Sequence, residues 1–141
     1  MPIVVPDASL ILKWIVPPDN EPHVEQAFAL REAFLRGEII LQVPALWYFE
    51  VGNTLARKFP AEAPAQLHHL RHFGMTEVAM DDTWQDKILE LIKKHGVTFY
   101  DASYHALAIL HSGIFLTGDE RYLIRVKGAA HVQHLQEWPV E

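Results

Sequence analysis

Four acidic residues occupy positions in this sequence where their side chains could meet and do chemistry. Asp7 and Asp119 come at or just after the ends of short apolar runs, and Glu50 and Asp101 lie near the starts of predicted helices. An acid at the carboxyl end of a buried parallel strand lies where open α/β sheets bind their ligands. Carboxylate oxygens are ligands that hard divalent cations prefer. The pattern therefore points to metal-dependent chemistry on phosphodiester bonds.

Each acid also has a purely structural interpretation. Aspartate is a favoured helix N-cap, which would explain Asp7 and Asp101 taken singly. That explanation is weaker for Glu50, because it lies in an apolar segment where an unpaired carboxylate is costly. It is also weaker for Asp119, which follows a buried strand. One shared site explains all four positions more simply than four separate roles, but the sequence leaves both interpretations open.

Carboxylates grouped in this way would hold Mg²⁺ or Mn²⁺. Four acids can hold one ion firmly, or two ions about 3.5–4 Å apart. Such ions stabilise the charge on a phosphate, orient it and lower the pKa of an attacking water. Without an ion the crowded carboxylates repel one another, so we expect at least one raised pKa.

Composition limits the remaining possibilities. The 141 residues, half of them hydrophobic, fit one domain over residues 1–141. There is no cysteine, which excludes thiolate metal sites and cysteine nucleophiles. The formal net charge of −6 at first argues against a nucleic-acid partner, but the four candidate ligands account for much of it. No apolar run is long enough to span a membrane and no signal peptide is evident, so we expect a cytoplasmic protein.

Apolar runs and helical stripes alternate along the chain. Predicted strands cover residues 3–5, 39–43, 78–80, 114–116 and 130–132. Predicted helices cover residues 9–16, a stripe at 24–35 introduced by Asp19-Asn20-Glu21-Pro22 and ended by Gly37, 44–59 with Pro44 in its first turn, 65–73, a helix capped by residues 81–83 and extending to 94, 101–112 ended by Gly113, and 119–126. This alternation predicts an α/β fold whose parallel sheet has helices on both faces. Right-handed crossovers place the carboxyl ends of all the strands on one rim.

Four segments together resemble a PIN domain, most closely a ribonuclease toxin of the VapC type. They are Val5-Pro6-Asp7-Ala8-Ser9 with Lys13-Trp14, Glu50-Val51-Gly52-Asn53, Tyr100-Asp101-Ala102-Ser103-Tyr104, and Leu116-Thr117-Gly118-Asp119-Glu120-Arg121. Their order and approximate spacing agree with the family over nearly the whole chain. Pro6 departs from the pattern, since a small apolar residue is more usual there, but a proline is tolerated at a strand end.

The resemblance implies a PIN-like fold with a sheet of about five parallel strands and Mg²⁺- or Mn²⁺-dependent cleavage of RNA. Asp7, Glu50, Asp101 and Asp119 fall on the family's acidic positions. Thr117 falls where members often carry a hydroxyl near the metal. The resemblance also implies a homodimer, and a small antitoxin protein as partner, whose basic side chains could neutralise the acids.

Two further polar residues lie beside these positions. Asn53 falls on a polar family position one helical turn after Glu50, so the two can share a face. Ser9 has no base arranged beside it and no nucleophile elbow, so we interpret it as a structural or metal-water contact rather than a nucleophile.

Several other residues invite functional interpretations that core or surface roles match or outweigh. Trp14, Trp47 and Tyr48 could stack on unpaired bases, but core packing is the default. Other candidates are the pair His68 and His72 at metal-binding spacing, His105 near the acids, Lys13 as a phosphate contact, and Arg121 with Arg125 as phosphate contacts or ion-pair partners.

Two other functions remain as alternatives. A catalytically silent PIN-like module would bind RNA or protein, and retention of all four acids argues against it. Another carboxylate-metal α/β fold is disfavoured, because Asp7-Ala8-Ser9 lacks the second aspartate of haloacid-type phosphatases. The acidic pair and lysine of a receiver domain are also not evident.

Overall fold

The short apolar runs of the sequence form one parallel sheet in the computed structural model, which describes residues 1–19 and 21–140. Asn20, predicted to precede the second helix, and Glu141 lie outside the described residues. The five strands follow the order β3-β2-β1-β4-β5, and every neighbouring pair is parallel. They are β1 (Ile3–Pro6), β2 (Ile40–Pro44), β3 (Thr76–Val78), β4 (Ile114–Thr117) and β5 (Val132–His134).

Helices cover both faces of this sheet, so the predicted α/β architecture is confirmed. They are α1 (Ala8–Lys13), α2 (Val24–Leu35), α3 (Leu46–Lys58), α4 (Ala63–Arg71), α5 (Asp82–His95), α6 (Phe99–Leu110) and α7 (Glu120–Arg125), followed by a 3₁₀ turn at Leu135–Glu137. Successive residues of β1 point to opposite faces, as pleated strands require. Val4 packs into one core with side chains of α1 to α4, and Val5 into a second core with those of α5 to α7.

Several predicted boundaries were wrong, and four of them have a clear local reason. Pro44 ends β2 rather than starting α3, because its missing N–H costs nothing at the last ladder position. Strands β3 and β5 begin two residues from where the sequence placed them, since both are three-residue edge strands without a strong apolar pattern. Helix α6 begins two residues before Asp101, because Thr98 provides the N-cap.

The carboxyl ends of the strands meet on one rim, as predicted. Pro6 pairs with Leu116, and Pro44 pairs with Val78. The Asp7 N–H extends the ladder by donating to the carbonyl of Leu116 at 3.1 Å. Residues that follow these strands are therefore fixed side by side. Separately, none of the helices in the described ranges has the length and apolar character needed to cross a membrane.

Candidate metal centre

A buried threonine connects the acids at the ends of β1 and β4. The Thr117 hydroxyl donates to Asp7 Oδ2 at 2.6 Å, and the Asp119 N–H donates to Thr117 Oγ1 at 3.0 Å. Asp7 also caps α1, accepting from the Ser9 N–H at 3.4 Å through Oδ1. Thr117 is fully buried, so it cannot exchange these partners for water. The chain thus positions Asp7 and Asp119 relative to each other through one side chain.

Burial and negative charge make Asp7 harder to ionise. Desolvation is the largest cause raising the pKa of this carboxyl, and the charge of Asp119 raises it further. Hydrogen bonds from Thr117 and Ser9 lower the pKa, but they do not offset the burial. A nearby cation would reverse this balance by favouring the ionised form.

Glu50 reaches the same rim from α3. Its Oε1 accepts a 2.6 Å hydrogen bond from the hydroxyl of Tyr104, a buried residue of α6. Burial raises the pKa of Glu50, the bond from Tyr104 lowers it, and the charges of Asp7 and Asp101 raise it again. The pKa of the Tyr104 hydroxyl is itself raised by burial and by Glu50, so it remains a hydrogen-bond donor.

Asp101 lies in the first turn of α6, at the third helical position. Its N–H donates to the hydroxyl of Thr98 at 3.1 Å, so the capping interaction places this residue rather than being made by it. Burial raises the pKa of Asp101, and the charges of Asp119 and Asp7 add to the effect. The N-cap interpretation therefore fails for Asp101, which lies within electrostatic reach of the other acids. It holds for Asp119, where the sequence argued against it, because Asp119 Oδ1 accepts from the Tyr122 N–H at 3.1 Å and caps α7.

All four predicted acids come together at this rim. Each of Asp7, Glu50, Asp101 and Asp119 lies within electrostatic reach of at least two of the others. The expected raised pKa is found for three of them, although burial contributes more than mutual repulsion. Within the described ranges, no three Asp, Glu or His side chains already form a metal-holding group. A cation bound at this rim would offset the repulsion between the acids.

The donor set suits a hard cation. The converging groups are carboxylates with a hydroxyl beside them, and oxygen ligands favour Mg²⁺ and Mn²⁺ over softer metals. The two further polar residues predicted beside the acids are Ser9 and Asn53. Ser9 contributes its backbone N–H to Asp7, and Asn53 is exposed one turn along α3 from Glu50.

The sequence did not indicate Tyr104 or Thr98 as parts of the site. Thr98-Phe99-Tyr100-Asp101 matches the pattern in which a threonine caps a helix and an acid follows three residues later, a signal that would have placed α6 correctly. No local signal marks Tyr104, because its partner Glu50 is 54 residues away.

Most of the alternative functional residues have structural roles. Trp14, Trp47 and His105 are buried in the core, and Tyr48 packs partly buried against it. His68 lies on α4 and His72 ends it as the C-cap, with ring centroids 4.4 Å apart. Lys13 forms an ion pair with Glu21 at 3.0 Å, and Arg125 donates to the carbonyl of Gly96 at 2.6 Å. Arg121 is exposed.

A wider groove of about 530 Å³ lies away from this rim, between α2 and residues 138–140. It borders the amino end of β2, on the side of the sheet opposite the rim, and none of the four acids lines it. The size of a cavity therefore does not identify the site in this protein, whereas the chemistry of the rim does.

Comparison with known proteins agrees with the fold. The PIN domain family matches residues 4–129, a span that contains all four acids. This chain belongs to the PIN domain family. The curated relative Exonuclease VapC9 of Pyrobaculum aerophilum is 32% identical over 98 residues, which cover 67% of this chain and 74% of the relative. The predicted resemblance to PIN domains of the VapC type is therefore confirmed.

Solved structures share the fold of this PIN domain at low sequence identity. VapBC2 from Rickettsia felis, bound to a promoter DNA fragment, has a TM-score of 0.69 at 12% identity, covering 94% of this chain and 98% of that one. FitAcB from Neisseria gonorrhoeae has a TM-score of 0.65 at 18% identity, covering 95% and 99%. At these identities the likeness concerns the fold alone.

Proposed function

We propose that this PIN domain is a metal-dependent endoribonuclease that hydrolyses RNA phosphodiester bonds. The observation that carries the proposal is the convergence of Asp7, Glu50, Asp101 and Asp119, three of them with raised pKa values. A fold that gathers these carboxylates destabilises itself unless a cation offsets their charge. One relative supports nuclease chemistry, since VapC9 is named an exonuclease; internal cleavage and the choice of RNA are our own proposal.

The four acids would hold Mg²⁺ or Mn²⁺, and the neighbouring residues would fix their orientation. Bound there, the ion would supply charge neutralisation for the phosphate and a lowered pKa for the attacking water. Thr117 holds one oxygen of Asp7, and Tyr104 holds Oε1 of Glu50. Held in this way, Glu50 would also orient the attacking water.

The proposal extends to partners. The Klebsiella pneumoniae neighbour is described as a toxin–antitoxin complex, and VapBC2 was solved on promoter DNA. By analogy we propose a toxin that works in the cytoplasm as a homodimer and is inhibited by a small antitoxin with basic side chains. On α2 and α3, Ala27, Leu30, Val51 and Leu55 are buried in the core, whereas Leu35 and Phe49 are exposed and would be available to a dimer interface.

Cleavage of labelled RNA tests the proposal. We would incubate the purified protein with linear and circular forms of the same RNA in Mg²⁺, Mn²⁺ or EDTA. Because a circle has no ends, its metal-dependent opening would establish endonuclease activity, whereas trimming of the linear form alone would show exonuclease activity. Asp7→Asn and Asp119→Asn should abolish cutting, and Asp86→Asn, at an exposed acid of α5, should not.

One observation favours the second candidate, a catalytically silent module that binds RNA or protein. No three acidic or histidine side chains in the described residues are already grouped around a metal position. If the folded protein binds RNA but never cuts it in Mn²⁺, or if cutting survives both substitutions at the rim, the silent module becomes the better account.

A further inference from the structure

An apolar recess with aromatic walls, which we call the aromatic recess, lies on the same rim as the acids. It has a volume of about 220 Å³, and its walls include Pro44, Leu46, Met80, Trp84, Phe99 and Tyr100. Pro44 is the last residue of β2, and Val78, the last residue of β3, also lines the recess. The recess therefore opens at the carboxyl ends of the strands, where ligands bind in open α/β sheets.

The walls of this aromatic recess expose large apolar and aromatic side chains to solvent. Tyr100 is 63% exposed, Met80 50% and Phe99 43%. Neighbouring exposed apolar groups on one surface indicate a binding site more strongly than scattered ones do. The indole N–H of Trp84 already donates to the carbonyl of Ser103 at 3.0 Å, so this wall offers an apolar face rather than a hydrogen bond.

Two helices connect the aromatic recess directly to Glu50. Leu46 precedes Glu50 by four residues on α3, and residues four apart lie on the same helix face. Tyr100 likewise precedes Tyr104 by four residues on α6, and Tyr104 donates to Glu50. Tyr100 is also the immediate neighbour of Asp101. The recess and the acids are therefore adjoining parts of one surface.

We propose that the aromatic recess binds one unpaired nucleobase of the RNA whose phosphate lies at the acids. This inference rests on the proposed nuclease function and deepens it. A base is flat, apolar on both faces and attached to a phosphate, which matches an aromatic recess of this size beside a cation-binding rim. Binding by stacking tolerates any base. The substrate must then be single-stranded at this position, because a paired base cannot enter.

Fluorescence of 2-aminopurine tests the recess without requiring cleavage. We would place this base analogue at successive positions of a short single-stranded RNA and measure quenching and Kd with Asp7→Asn protein in Mg²⁺. Tyr100→Ala in this background should raise the Kd roughly fivefold to 100-fold and remove the quenching at one position. Tyr100→Phe keeps the ring and should bind within about twofold of its parent. Ile124→Ala, at an exposed residue of α7, is the matched control.

Each outcome decides the inference. Quenching that is absent throughout, or equal in the parent and Tyr100→Ala proteins, would overturn it. Light scattering of the same proteins shows whether a second copy of the chain covers the recess, and conversion of a dimer to a monomer by Tyr100→Ala would also overturn it. If quenching depends on Tyr100 while the wild-type protein never cuts RNA, the recess stands and the nuclease proposal fails. If RNA is cut but Tyr100 has no effect, only the recess fails.

Discussion

The hydroxyl of Tyr104 donates a 2.6 Å hydrogen bond to Glu50 Oε1, and this bond joins α6 to α3 across 54 residues of chain. Tyr104 is 2% exposed, whereas Glu50 is only partly buried. A rigid donor in the core therefore holds a charged group at the surface of the site. The bond lowers the pKa of Glu50 against the effects of burial and of neighbouring charge.

Tyr104→Phe removes this bond and little else. We expect the free energy of unfolding to fall by about 1.5–3 kcal/mol, the usual net value of a hydrogen bond to a charged group. Urea denaturation measures this change, and Tyr100→Phe is the control because it removes the same atom from an exposed residue. Equal stability of the Tyr104→Phe and wild-type proteins would show that the bond does not hold Glu50 in solution.

Thr117→Val tests the connection between Asp7 and Asp119. Valine keeps the volume of threonine but removes the hydroxyl that donates to Asp7 and accepts from the Asp119 N–H. Because Thr117 is fully buried, we expect a loss of about 1–3 kcal/mol in stability and a weaker response to Mn²⁺. Thr117→Ser, which keeps the hydroxyl, should retain the metal response. Calorimetry with and without Mn²⁺ measures the melting temperatures. Equal stability and an equal Mn²⁺ response of the Thr117→Val and Thr117→Ser proteins would contradict this account.

His105 makes stability depend on pH through the core rather than through the site. Its Nε2–H donates to the carbonyl of Ala130 at 2.9 Å, so Nδ1 of the neutral ring accepts from the Tyr122 hydroxyl at 2.6 Å. Burial lowers the pKa of His105 below its ordinary value of 6.5, and the charges of His95 and His131 add to this effect. A depressed pKa contributes stability that is complete above pH 6.5 and is lost as pH falls through the folded-state value.

His105→Gln isolates this contribution, because glutamine can keep both hydrogen bonds without titrating. We expect the melting temperature of the wild-type protein to decrease relative to that of His105→Gln as pH falls from 7 to about 5. The acids at the rim are common to both proteins, so their titration largely cancels in the difference. A difference that stays constant over this range would mean that His105 does not remain neutral in the core.

Gly113 is required by a close approach of two strands. A Cβ atom at this position would lie 2.6 Å from the carbonyl oxygen of Ile3, a backbone atom that cannot move aside. We expect Gly113→Ala to cost about 1–3 kcal/mol, as overpacking in a core does. The preceding Ser112 has φ 55°, so Ser112→Gly suits the local backbone and should change stability by less than about 1 kcal/mol. Denaturant melts that rank these variants in the reverse order would refute this explanation.

This contrast also shows where sequence reasoning reached its limit. The sequence predicted that Gly113 ends a helix, but the left-handed residue after α6 is Ser112, and Gly113 is needed by a neighbour more than 100 residues away. The central strands β1, β2 and β4 were predicted to within one residue because their apolar runs are unambiguous. The edge strands β3 and β5 were not, since three half-exposed residues carry little pattern.

The placement of the acids was predictable because strand ends share one rim: Asp7 follows β1 directly, and Asp119 follows β4 after Gly118. The hydrogen bonds that hold the acids in place were less predictable. The Thr117–Asp7 bond depends on the register of β1 against β4, and the Tyr104–Glu50 bond depends on how α3 and α6 pack. Neither register nor packing can be read from local composition, so the sequence does not distinguish the exposed pair Phe99 and Tyr100 from the buried Trp14 and Trp47.

Titration with Mn²⁺, followed by electron paramagnetic resonance of the free ion, tests the central claim most directly. The claim is that Asp7, Glu50, Asp101 and Asp119 together bind the divalent cation. We predict that the wild-type protein removes free Mn²⁺ from solution, that each neutral isostere (Asp→Asn, Glu50→Gln) weakens binding at least about tenfold, and that Asp86→Asn binds like the wild type. Unchanged binding in all four rim variants, or no binding by the folded wild-type protein, would contradict the account.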